Sequence, residues 1–181
     1  GFVPILLGLG IAGTAGLSVV HLSLTLHQPE ALPGREQVAL MLSLCGLAML
    51  GAQALHVKTG WLVTRPATLT AAMLILLGVA LWLLAFAWLG QAIAISVFAA
   101  GWSAATLRLV ASFWISAPRH HSGVRLGIQH GVASVGQVGV PLATALSPAE
   151  WHRTVVWVII LLCFTLSFAV PMVWARTQRQ S

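Results

Sequence analysis

Polar side chains are scarce in this chain, and those that recur at helical spacing inside apolar runs have chemistry to offer. From Gly123 to Leu146 the sequence reads GVRLGIQHGVASVGQVGVPLATAL. At roughly 100° per residue, Gly123, Gly127 and Gly131 step round one side of a helix, and His130, Ser134 and Gln137 share that sector. Small residues let helix backbones approach, so Gly123, Gly127, Gly131, Gly136 and Gly139 read as packing positions, with Pro141 bending the helix toward one end. His130 is suited to shuttle a proton or bond an anionic solute; it reads equally well as a neutral packing group.

An earlier run carries Thr14, Ser18, His21 and Thr25 at i, i+4, i+7 and i+11, all on one helix face. That face is either a cavity-lining stripe or helix–helix glue, because a Thr or Ser hydroxyl can also bond the carbonyl four residues back. Arg108, in QAIAISVFAAGWSAATLRLVASFW, is the sole ionised group well inside an apolar segment. Uncompensated at the centre of a membrane helix it costs at least ~2.5–3.5 kcal/mol, so it either binds or gates something or snorkels to the nearer end. Ser43 and Gln53 are the polar groups of the second segment.

Two other chemistries use the same residues. His21, His27, His56 and His130 are conceivable axial ligands of a haem in a membrane electron carrier. Ser103 in GWSA with His130 is a conceivable hydrolytic dyad. Cys45 and Cys163 lie in the middle of apolar runs and match no metal or disulfide spacing.

The elements that must hold these groups follow from composition. Of 181 residues, 59% are hydrophobic and 7% charged, against about a quarter charged in a soluble domain. At roughly 20 apolar residues per crossing of the bilayer, the chain holds about six spans with tight loops. They fall at about 1–26, 38–57, 66–87, 90–116, 122–146 and 153–175. No loop is long enough for a soluble domain, and the chain opens already inside a hydrophobic segment, GFVPILLGLGIAG, as an excerpt of a longer product does.

The net charge of +6 reports topology rather than nucleic-acid binding, because the basic residues cluster at span ends. Even-numbered loops and the tail hold Lys58, Arg65, Arg119, Arg125, Arg176 and Arg179, whereas odd loops hold Arg35 and Arg153. The three acids, Glu30, Glu36 and Glu150, all fall in odd loops. Both ends of the segment are therefore expected in the cytoplasm. Trp61, Trp114 and Trp174 then lie near the cytoplasmic boundary, and Trp88, Trp151 and Trp157 near the opposite one.

Three stretches carry a resemblance to the major facilitator superfamily of transporters. FAAGWSAATLRLVASFW, followed by a basic loop and the glycine-rich run with Gly136, Gly139, Val140 and Pro141, is similar to that family's tenth and eleventh helices. LGAQALHVKTGWLVTRP resembles its eighth helix and the cytoplasmic loop that follows, with Lys58, Gly60 and Arg65 but without the usual acid. The chain thus resembles the C-terminal six-helix half of such a transporter. The resemblance implies an all-α polytopic fold of two inverted three-helix repeats, 1–87 and 88–181, around a midplane site. It implies secondary active, proton-coupled export or uptake of a small organic solute by alternating access, in a bacterial inner membrane. A second six-helix half, in the same chain or another subunit, completes the pathway and holds any coupling carboxylate. Thr14, Ser18, His21, Gln53, Arg108, His130, Ser134 and Gln137 are the expected pathway residues. The partners are the bilayer and the solute, with no nucleic acid. No cofactor, metal or catalytic residue is called for, and a six-helix membrane protein without a pathway is the remaining alternative.

Overall fold

A computed structural model describes residues 3–25, 34–86, 90–116, 122–145 and 151–178. It is all-α, with seven helices among the described residues: α1 (Val3–Thr25), α2 (Arg35–Thr59), α3 (Trp61–Thr64), α4 (Pro66–Phe86), α5 (Gly90–Ser116), α6 (Ser122–Ala145) and α7 (Trp151–Gln178). Helices are the form such a sequence must take, since in hydrocarbon every backbone N–H and C=O needs a partner within its own segment. Five of them, α1, α2, α4, α5 and α7, are long and apolar enough to cross a membrane. The chain is a multi-pass helical membrane protein.

The sixth expected span, α6, does not meet that measure. Its 24 residues reach about 36 Å at 1.5 Å each, so length is not the reason. Gln129, His130, Ser134 and Gln137, with the glycines and Pro141, dilute its apolar content. The connection HVKTGWLVTR is likewise more ordered than a loop. α2 runs on to Thr59 and ends at Gly60, whose φ of 64° is left-handed and favours glycine. One turn, α3, follows, and Pro66 opens α4 where its missing N–H does no harm.

α5 sits at the centre, packed against α1, α2, α4 and α6. Its run Gly101-Trp102-Ser103-Ala104-Ala105-Thr106-Leu107 is buried at every position but Trp102, which is half-buried, because small residues leave room for neighbours on all sides. α1 packs along α6, α2 along α5, and α4 along α7. The closest backbone approaches occur at two glycines. A Cβ on Gly101 would stand 2.7 Å from the Cys45 carbonyl oxygen, and one on Gly136 would stand 2.7 Å from the Ile11 carbonyl oxygen. Cys45 and Cys163 are both buried and free.

Prolines free carbonyls, and other helices fill them. Pro66 has no N–H for the Leu62 carbonyl four residues back, and the Trp114 indole donates to that oxygen at 3.2 Å. Trp114 also meets Trp174 edge to face, with centroids 4.7 Å apart. At the other end Phe86 touches Trp157. Trp88 lies outside the described residues. Trp114→Phe keeps the ring and removes the donor. The expected cost is about 1 kcal/mol, read as a small drop in melting temperature of the detergent-solubilised protein; an unchanged melt would show that the Leu62 carbonyl finds water instead.

Candidate functional site

α1, α2, α5 and α6 enclose the polar groups, and α4 and α7 contribute none to the cavities between them. The larger cavity, about 420 Å³, is lined by Thr14, Ser18, His21 and Thr25 of α1, Arg108 of α5, and Gln137 and Pro141 of α6, with Met49 of α2 and two leucines. The smaller, about 170 Å³, is lined by Gln53 and Met49 of α2, Arg108 and Ser112 of α5, and His130 of α6. Arg108 and Met49 border both. The larger volume falls in the range of small-molecule sites.

The wall between α1 and α6 is stitched by hydroxyls. Thr14 Oγ1 donates to the Ala133 carbonyl at 2.7 Å, with the Gly10 and Ile11 carbonyls also in reach of its single proton. Ser18 Oγ donates to the Gln137 carbonyl at 3.3 Å. That carbonyl is available because Pro141, four residues on, has no N–H to give it. Pro141 therefore does more than interrupt a ladder: it turns a backbone acceptor toward α1.

Between α2 and α5 a second buried link forms. Thr106 Oγ1 donates to the Trp102 carbonyl at 2.9 Å, so it must accept from His56, whose Nε2 lies 2.9 Å away. His56 is thus the Nε2–H tautomer, with Nδ1 buried and unpartnered. Gln129, also buried, donates from Nε2 to Ser112 Oγ at 3.0 Å.

Among the sequence-stated pathway residues, Thr14, Ser18, His21, Arg108 and Gln137 come together round one cavity, and Gln53 and His130 join Arg108 round the other. Ser134 lines neither; it is exposed, and its hydroxyl donates to the His130 carbonyl at 2.8 Å. The glycine stripe differs most from expectation. No other helix comes within 4 Å of a Cβ placed on Gly123, Gly127, Gly131 or Gly139. α6 instead buries Gln129, Ala133, Gly136 and Val140, a seam stepping by four, three and four residues. Gly136 lies about 140° round the helix from Gly131, so the glycine stripe faces away from α1 while Gln137, at the edge of the polar sector, still reaches the cavity. The expected pathway set left out Met49, Ser112 and Gln129, and His56 was read only as a conceivable haem ligand. Only Ser112 carried a signal, one turn beyond Arg108.

Ser103 is fully buried, and its hydroxyl is given to the Ala99 carbonyl at 2.7 Å. His21 and His130 line different cavities, His56 is held by Thr106, and His27 lies outside the described residues. Among the described residues no group of three or more His, Cys, Asp or Glu could hold a metal ion. No protein-family model, curated protein or solved structure matches the chain.

Proposed function

We propose that this helical membrane protein is one half of a secondary transporter that moves a small organic solute by alternating access, in the manner of the major facilitator superfamily. The observation that carries the reading is the convergence of Thr14, Ser18, His21, Arg108 and Gln137, from three helices, on one cavity of about 420 Å³. Polar and ionised groups at membrane depth are costly and turn toward a bundle interior or a water-filled space, where they meet solute.

The helix packing supports the arrangement of repeats. Exchanging α1 with α5, α2 with α6 and α4 with α7 carries the α1–α6 contact onto α5–α2 and leaves α4–α7 in place. Those two correspondences are what two three-helix repeats, 1–87 and 88–181, would produce, although the close α4–α5 packing has only a weak counterpart in α1–α7. In this reading α6 is the sixth span, tolerated by the membrane because its polar sector (His130, Ser134 and Gln137) faces water or a second six-helix body. The charge asymmetry favours both ends of this segment in the cytoplasm; a bacterial inner membrane and coupling to protons belong to the same reading.

The test is solute flux through the native full-length protein in proteoliposomes, screened over small metabolites. Ser18→Ala together with Gln137→Leu, which strip hydrogen-bonding groups from the cavity and leave the helices intact, are expected to lower flux about tenfold, equivalent to ~1.4 kcal/mol. Wild-type flux in both variants would remove the cavity from the pathway.

A further inference from the structure

We propose that Arg108 receives an oxyanion, a carboxylate or phosphate group of the ligand; this inference rests on the reading of the cavity as a solute site. The first ground is that, among the described residues, the guanidinium has no carboxylate beside it. Glu36 is the one acid among the described residues, and it stands in the first turn of α2. α2 and α5 run parallel, with Cys45 beside Gly101 and His56 beside Thr106. Counted through Cys45 and Gly101, or through His56 and Thr106, the two charges are about 24–33 Å apart along the bundle at 1.5 Å per residue.

The second ground is position. Arg108 lies eight residues before the end of α5 at Ser116, about 12 Å at that rise, and it borders both cavities. A guanidinium with five N–H donors in a planar fork matches a carboxylate or phosphate in two parallel bonds.

The third ground is which donors are left. The Thr14 and Ser18 hydroxyl protons are committed to the Ala133 and Gln137 carbonyls, so both oxygens offer lone pairs to the cavity. The donors that face it are Arg108, the Gln137 carboxamide and the His21 ring, with Gln53 and His130 across Arg108 in the smaller cavity. None of these neighbours is an acid, so among the described residues Arg108 has no counter-charge, and an incoming anion would neutralise it where it stands.

The experiment is titration calorimetry on the full-length protein in maltoside micelles, which contain no phosphate, with succinate, inorganic phosphate and the uncharged succinamide as probes. Lipid retained through purification is read by native mass spectrometry. Saturable binding of either anion without binding of succinamide is expected. Arg108→Gln should weaken it about tenfold to a hundredfold, and Arg108→Lys, which keeps the charge without the fork, should recover part of the loss. A phospholipid retained by the wild type and lost from Arg108→Gln would support the oxyanion and place it on a lipid headgroup. Succinamide binding as tightly as succinate, undiminished anion binding in Arg108→Gln, or neither anion nor phospholipid bound would overturn the proposal. Should Arg108→Gln fail to fold, mutual competition between succinate and phosphate on the wild type, and the Arg108→Lys affinity, decide in its place. Binding in micelles needs no translocation. Flux of a neutral solute with no anion bound therefore defeats this inference alone, and a bound anion without flux defeats the transport reading alone.

Discussion

Gly101→Val is expected to unfold the α2–α5 pair. A Cβ at this position meets the Cys45 carbonyl oxygen at 2.7 Å, its Sγ at 2.9 Å and its carbonyl carbon at 3.3 Å. Two of these are backbone atoms of a neighbouring helix and cannot swing aside as a side chain end would. The helices must separate, and with them go the His56–Thr106 hydrogen bond and the burial of Cys45, Ala48 and Ala52. Overpacking of this kind costs about 3 kcal/mol, the upper end for one position, and association in lipid has little besides such packing to draw on. The measurement is the thermal midpoint and the monodisperse fraction in mild detergent, with Gly46→Val as the comparison. Gly46 lies on α2 one position beyond Cys45 and has nothing within 4 Å. It should melt within about 0.5 kcal/mol of wild type, as surface substitutions do. Equal melts for the two variants would mean that α2 does not cross α5 at Gly101.

Gly136→Val should act on the opposite side of the bundle and reach the cavity as well. Its Cβ would stand 2.5 Å from Thr14 Oγ1, 2.7 Å from the Ile11 carbonyl oxygen and 3.0 Å from the Ala15 nitrogen. Pushing α6 off α1 breaks the Thr14–Ala133 bond, worth about 1 kcal/mol, on top of an overpacking cost of roughly 3 kcal/mol. It also moves Gln137 and Pro141 away from Ser18 and His21, so solute binding should fall along with stability. Gly131→Val, on the open sector of the same helix, has no neighbour to displace. A variant pair that loses stability and binding at Gly136 but neither at Gly131 fixes which face of α6 closes the cavity wall. Loss at Gly131 instead would show that the small stripe carries the helix–helix contact.

These two glycines mark the limit of what periodicity can say about packing. The sequence reading takes Gly123, Gly127, Gly131, Gly136 and Gly139 alike as packing positions, yet of these the seam runs through Gly136 alone. Repetition reports that several small residues share a side; it does not report which side has a partner. The polar set was more legible. Thr14, Ser18, His21, Arg108 and Gln137 stand out against an apolar background, and a group that is costly in lipid has to turn inward whatever the helix order. Ser134 shows the exception, since its hydroxyl is satisfied on its own helix and has no need of a cavity. His56 and Gln129 went unseen as interior groups because their inward orientation depends on Thr106 and Ser112, on a different helix.

The amino-acid sequence by itself determined that this is a helical membrane protein, where its long helices begin and end to within a few residues, and which side chains are too polar for lipid. Those are local properties: apolar length and the prolines at positions 66 and 141. Only the tertiary structure decided that α5 takes the centre, that α6 lies on α1 through Gly136, and that Arg108 stands between two cavities. In water, the apolar face of a helix announces where its neighbours will be. In a bilayer, core-facing and lipid-facing surfaces are both apolar, and partners are chosen by the fit of small residues and by a few hydrogen bonds between segments far apart in the chain.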